Sequence, residues 1–419
     1  MASSLPKYES ITLHNGLQVV AVPMHNDTGV ISTDIFYKVG SRNEVMGKSG
    51  IAHMLEHMNF KSTKNLQAGE FDKEVKSIGG VNNASTSFDY THYFIKSSSD
   101  NLEKSLSLFA ELMENLNLKE EEFQPERNVV AEERRWRTDN NPLGYLYFRL
   151  FNNAFIYHPY HWTPIGFMND IQNWKLEDIK EFHATYYQPK NAILTVTGDI
   201  DTQTVFDAAK KYFAHIKNKK SIPHFTFKEP KQDGAKRVIV HKPSEVEMVA
   251  IAYHIPDFKH PDQIALSAIG EHLSSGKSSV LYERLVQQKR MVNQIYAYNM
   301  ENSDPSLFLF LAVCNPGIRA EEVEKELLAV IKELQNTPIK QSILDKIKIN
   351  TKADFIYSLE SASSLANLLG SYLVRGDIEP LLRYEEAIGA LTPKQIQEGA
   401  KRYFQHDNST TIILRKAKQ

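Results

Sequence analysis

At 419 residues, 42% of them hydrophobic, the chain can bury two ordinary cores, and a single small module is excluded. Lys and Arg number 49 against 51 Asp and Glu, a formal net charge of -2, so there is no global positive field to hold nucleic acid or an anionic membrane. Cys314 is the only cysteine, which excludes an internal disulfide framework and any multi-cysteine metal site.

Taken from the start, Met1 to Pro6 hold neither a basic run nor an apolar stretch, so no signal peptide is expected there. No later apolar run approaches the roughly 20 residues of a membrane-spanning helix. The expectation is a soluble chain, cytoplasmic as it stands or periplasmic if a signal peptide has been removed. Ile11 to Leu13 and Leu17 to Val22 flank Asn15-Gly16, a pair that tolerates the positive backbone angles of a tight turn, and predict a hairpin.

A mostly apolar helix is predicted over Ile51 to Phe60, and it carries His53-Met54-Leu55-Glu56-His57. Residues i and i+4 lie one turn apart on the same helix face, so His53 and His57 can reach one ion with Glu56 beside them. Neutral imidazole suits zinc, and a catalytic zinc site needs three protein ligands plus an open position. Burying two histidines and a glutamate on an apolar helix is costly without such a partner.

Further along, Leu102, Leu106, Phe109, Met113 and Leu116 recur at helical spacing. The next helical stretch, Glu126 to Arg134, offers the third ligand: Glu126 and Glu133 are two turns apart and point the same way, whereas Glu132 points about 100° away, toward solvent or a basic neighbour. Glu133 then completes the metal set, and Glu126 hydrogen-bonds to ligands or water from behind it.

Two echoes follow. Tyr186-Tyr187-Gln188-Pro189-Lys190-Asn191 is repeated by Tyr403-Phe404-Gln405-His406-Asp407-Asn408, each copy closing a helix and leading into an apolar strand, Ala192 to Val196 and Thr410 to Leu414. The motif helix is repeated by Ala268-Ile269-Gly270-Glu271-His272, which keeps the helix and loses the ligand at the first histidine. The stretch between the copies, rich in Lys, Pro and polar residues, suits a linker. The organisation expected is an N-terminal zinc-binding domain over 1–215, a linker over 216–235 and a C-terminal domain of the same fold over 236–419.

On these residues the chain resembles the pitrilysin-like zinc peptidases, which include insulin-degrading enzyme and the mitochondrial processing peptidase, and the resemblance runs over nearly the whole chain. Their pattern is the inverted His-x-x-Glu-His. A distal glutamate follows the second histidine by about 76 residues in a stretch like Glu-Arg-x-Val-Val-x-x-Glu, which selects Glu133 over Glu132. Gly79 to Thr86, followed by Asp89, Thr91 and Tyr93, also matches. In the family this is an edge strand that pairs with an extended peptide, so Asn83, Ala84 and Ser85 are the expected substrate-binding residues.

The resemblance implies an α+β fold of two homologous domains, each a mixed, largely antiparallel sheet packed with helices. It implies one zinc ion per chain, Glu56 and Glu126 as catalytic residues, and hydrolysis of peptides or unfolded segments inside a chamber. One departure stands out. Active members carry an Arg and a Tyr seven residues apart in the second half, and neither is in place between Leu285 and Gln294; Arg290, Tyr296 or Tyr298 could substitute only through a shifted register. The expectation is therefore a homo- or heterodimer in which this chain holds the metal and a partner supplies Arg and Tyr. Alternatives are a non-catalytic assembly or structural subunit of the same fold, or a metal-binding regulator without hydrolysis.

Overall fold

The computed structural model describes residues 4–417. Along the chain run β1 (Glu9–Thr12), β2 (Gln18–Pro23), β3 (Val30–Tyr37), α1 (Ile51–Asn59), α2 (Glu70–Ser77), β4 (Val81–Thr86), β5 (Thr91–Ser98), α3 (Leu102–Asn115) and α4 (Glu120–Arg134). Next come α5 (Pro142–Ala154), α6 (Met168–Asn173), α7 (Leu176–Tyr186), β6 (Ala192–Gly198) and α8 (Thr202–Phe213). No helix or strand follows until β7 (Lys236–Lys242), β8 (Met248–Ile255), α9 (Gln263–Ser274), β9 (Val292–Asn299) and β10 (Ser306–Cys314). The chain ends with α10 (Ala320–Asn336), α11 (Gln341–Ser358), α12 (Ala362–Val374), α13 (Glu379–Leu382), α14 (Tyr384–Ala390), α15 (Pro393–Tyr403) and β11 (Ser409–Lys416).

These elements form two compact units, each built on one sheet. The first sheet has the order β1-β2-β6-β3-β5-β4 and the second β7-β11-β8-β10-β9. Apart from the extra β1 the orders correspond, with one parallel pair in each (β2 with β6, β7 with β11) and the rest antiparallel. The expected opening hairpin is present: Ile11 pairs with Val19, and Gly16 takes a φ of 90°.

The first unit comprises residues 1–132, 162–226 and 355–382. One face of its sheet, through Ile31, Ile35 and Tyr37 of β3, packs with α1, α3, α7 and α8 into a continuous core. Side chains alternate across a strand, so Asp34 and Phe36 point to the other face, and there α12 lies. A Cβ at Gly370 of α12 would come within 2.1 Å of the Phe36 ring, so glycine permits this approach. With both faces covered, β6 is buried along its whole length.

The second unit comprises residues 133–161, 227–354 and 383–419. Helix α5, from the N-terminal half of the chain, packs on β8 and β11. Its last carbonyls, those of Asn153 and Ala154, accept hydrogen bonds from Lys236 Nζ at 2.9 and 3.1 Å, a cation at the negative end of the helix. Helices α9, α10 and α15 build the other core around Val249, Ile251, Phe308 and Phe310. Among the described residues no helix is long and apolar enough to cross a membrane.

Candidate metal centre and active site

Helix α1 starts from Gly50, whose φ of 86° is left-handed and whose Cβ, if present, would lie 2.7 Å from the Ile165 carbonyl oxygen. The first backbone N–H groups of a helix have no partner within it. Here the buried carboxylate of Glu44 accepts from Gly50 N at 2.9 Å, Ala52 N at 2.8 Å and the Trp162 indole at 2.7 Å. Burial pushes Glu44 up to about 8 in spite of these donors. The start of the motif helix is thus fixed from outside.

One turn in, His53 is buried and His57 half-buried, and their Nε2 atoms converge to 3.2 Å. His57 Nδ1 meets Glu126 Oε1 at 2.8 Å, and Lys61 Nζ meets Glu126 Oε2 at 2.5 Å. Burial alone would raise the Glu126 carboxyl, but the hydrogen bonds from His57 and Lys61 outweigh it and hold the group below the ordinary glutamate value. A carboxylate accepting at Nδ1 fixes the tautomer that turns the His57 Nε2 lone pair toward His53.

Glu133 sits on the last turn of α4, which runs unbroken from Glu126 although the division between compact units falls just before it. Ligand atoms of His53, His57 and Glu133 all lie within 4.8 Å of one another, and theirs is the one such cluster among the described residues. The Glu133 carboxylate also meets Arg137 Nε at 3.0 Å. Arg137 belongs to a five-residue π-helical turn, Arg135–Asp139, directly after α4. Glu132, as expected, is exposed.

Glu56, on the turn between the two histidines, is half-buried, and its Oε2 accepts from Thr86 Oγ1 at 2.5 Å. Behind it the buried phenols of Tyr93 and Tyr187 meet at 2.9 Å, and burial raises both well above the ordinary tyrosine value. Strand β4 is an edge of its sheet. Val81, Asn83 and Ser85 are exposed while Asn82, Ala84 and Thr86 are half-buried, so Asn83 and Ser85 face outward and Ala84 packs on the core. The backbone N–H of Ala84 is met by the Asn83 side-chain oxygen at 2.9 Å.

Arg290, Tyr296 and Tyr298 belong to the second unit. Arg290 is exposed with a φ of 51°, and the two tyrosines line the exposed side of β9. Lys61 and Arg137 carry no expectation from sequence; Arg137 pairs with Glu133 at i+4 spacing, a signal that finds it, whereas Lys61 lies beyond the end of α1 and reaches Glu126 only through the fold.

Comparison with known proteins gives the family. A family model described as insulinase (peptidase family M16) matches residues 19–159, and one described as the peptidase M16 inactive domain matches residues 173–351. The chain is 59% identical over 416 residues to the zinc protease PqqE of Helicobacter pylori, covering 99% of this chain and 94% of that protein. It is 26% identical to a probable mitochondrial-processing peptidase subunit beta of Schizosaccharomyces pombe (89% and 83% covered) and 24% identical to cytochrome b-c1 complex subunit 1 of Bos taurus (96% and 85%). The crystal structure of a protease from Helicobacter pylori superposes with a TM-score of 0.97 at 59% identity, covering 98% of this chain and 100% of that one. With identity and coverage of this extent, the chain belongs to the insulinase family, peptidase family M16.

Proposed function

We propose that this chain is a zinc-dependent endopeptidase that hydrolyses peptides or unfolded segments, with the metal held by His53, His57 and Glu133. The observation that carries the reading is the convergence of two imidazole nitrogens and one carboxylate on one point. The donor set fits the ion: tetrahedral zinc with bonds of about 2.0 to 2.1 Å places two ligand nitrogens about 3.3 Å apart, and the two Nε2 atoms stand at 3.2 Å. Zinc held there would supply Lewis-acid polarisation of a peptide carbonyl and acidification of water.

The rest falls to the chain's own groups. Glu56 takes the proton from the attacking water and returns it to the departing amine as the carbon–nitrogen bond breaks, so neither a nucleophilic side chain nor a covalent intermediate is required. Glu126, braced by Lys61, holds His57 in the ligating tautomer. The outward-facing edge of β4, with Asn83, Ala84 and Ser85, offers main-chain hydrogen bonds that hold an extended peptide without reading its sequence. The second domain repeats the fold without the ligands, and residues 216–235 link the two.

The Arg and Tyr that the family resemblance calls for are not in place between Leu285 and Gln294, where Gln287 and Gln294 are exposed. A partner subunit that supplies the pair makes this chain the metal-bearing half of a two-subunit enzyme, in keeping with a relative named as a subunit beta. Metal analysis with peptide cleavage tests the reading. The purified chain should hold about one zinc and cleave slowly, and activity should rise sharply with the partner. Glu56→Gln should keep zinc and lose turnover. No zinc and no cleavage under any condition would leave an assembly subunit instead.

A further inference from the structure

We infer that Thr86 is a positioning residue that aims the Glu56 carboxylate, so that the strand offered to a peptide and the base acting on it are joined by a hydrogen bond. This rests on the peptidase reading above. The inner face of β4 is anchored at three successive positions: Asn82 Nδ2 donates to Asp72 of α2 at 2.9 Å, Ala84 packs on the first core, and Thr86 Oγ1 donates to Glu56 Oε2 at 2.5 Å. The last of these is the one that reaches the motif.

The chemistry of the two side chains gives the contact its meaning. Glutamate has three rotatable bonds and loses considerable freedom when it is held, whereas β-branched threonine is stiff at χ1 and here projects from a strand paired to β5 opposite Thr91. A donor placed by the strand therefore fixes one carboxylate oxygen, and with it the carboxylate plane and the direction of the other oxygen. Proton transfer needs that direction held within hydrogen-bond reach. When a peptide pairs with the edge, any displacement of β4 is transmitted through Oγ1 to the base.

The test compares Thr86→Val, Thr86→Ala and Thr86→Ser in the full chain, with its partner subunit if activity requires one, reading kcat, KM and bound zinc. Hydrogen bonds to charged groups set the scale: Val and Ala should lower kcat about ten- to a hundredfold, with KM within about threefold and zinc retained. Ser, which restores the hydroxyl, should recover most of the loss. A strand that serves only as scaffold would show its loss in KM, with Ser no better than Ala, and that result overturns the inference, as does full kcat in both Val and Ala. If the Val variant fails to fold, the Ser and Ala pair still differs by the hydroxyl alone. Wild type and Glu56→Gln run alongside separate the claims: no cleavage by the wild type even with its partner sinks the peptidase reading, turnover surviving in Glu56→Gln removes Glu56 as the base and the aim of Thr86 with it, and loss there together with full activity of Thr86→Ala sinks only the role of Thr86. Adding Thr86→Ala to Glu56→Gln should cost nothing further, because the carboxylate it aims is gone.

Discussion

Helices α1 and α9 occupy the same place in two copies of one topology, each following the sheet's central antiparallel strand and preceding its edge strand, yet among the described residues only α1 contributes to a cluster that could hold a metal ion. Ala268, Gly270, Glu271 and His272 stand where α1 has His53, Leu55, Glu56 and His57. In the second unit α9 lies close on β9: a Cβ at Gly270 would lie 3.2 Å from the Ala297 carbonyl, and Ser274 Oγ donates to that carbonyl at 2.8 Å. His272 lines an apolar cavity of about 170 Å³ with Leu273, Val330 and Leu334, where burial lowers its proton affinity. Glu271 accepts from Asn350 at 3.2 Å. The frame survives without the ligands, so apolar packing holds these helices and the chemistry is an addition to one of them.

The sharpest way to break the comparison is to change matched glutamates. Glu56→Gln should lower peptide turnover by about a thousandfold or more, while Glu271→Gln should change it by less than about twofold; equal losses would end the distinction between the units. Next in size is metal removal. A ligand at a thousand times its Kd contributes about 4 kcal/mol to stability, so chelation or His57→Ala should lower the Tm and abolish bound zinc, and His272→Ala should leave the zinc content untouched.

Packing gives smaller effects. Gly370→Ala should destabilise by about 1 to 3 kcal/mol, because the new methyl meets the buried Phe36 ring. Gly399→Ala on α15 meets only ordinary contacts at 3.7 Å and should be neutral or stabilising by up to about 1 kcal/mol. Paired denaturant melts decide between them. The remaining effect is titrational and is read along a pH series rather than at one condition. Burial pushes His183 of α7 down to about 3 from an unfolded value of 6.5. Below pH 6.5 the unfolded chain therefore takes up a proton that the folded one refuses, and stability falls as the pH drops toward 3. His183→Phe should flatten that limb, and an unchanged slope would remove His183 from the acid response.

The candidate ligand cluster was legible in the sequence because its spacing is local: His53, Glu56 and His57 share one turn, and Glu126 and Glu133 share a face of α4. The repeat was legible because each copy ends in the same helix-to-strand turn. What the sequence withheld depends on distant partners. Nothing local shows that Glu44 caps α1 or that Thr86 reaches Glu56, since these contacts are made by the fold. Amphipathic periodicity says that α5 and α12 each bury a face, but not which sheet receives it.

That exchange changes what cutting the chain can do. Severing the backbone within 216–235 leaves an amino-terminal piece that still owns α5, lodged against the second sheet, and a carboxy-terminal piece that still owns α12, lodged against the first. Each fragment keeps the helices of its own core but lacks the helix that covers the opposite face of its sheet, so a nicked molecule should stay together through these two exchanged helices rather than fall into halves. Separately produced fragments should be aggregation-prone alone and soluble when refolded as a pair.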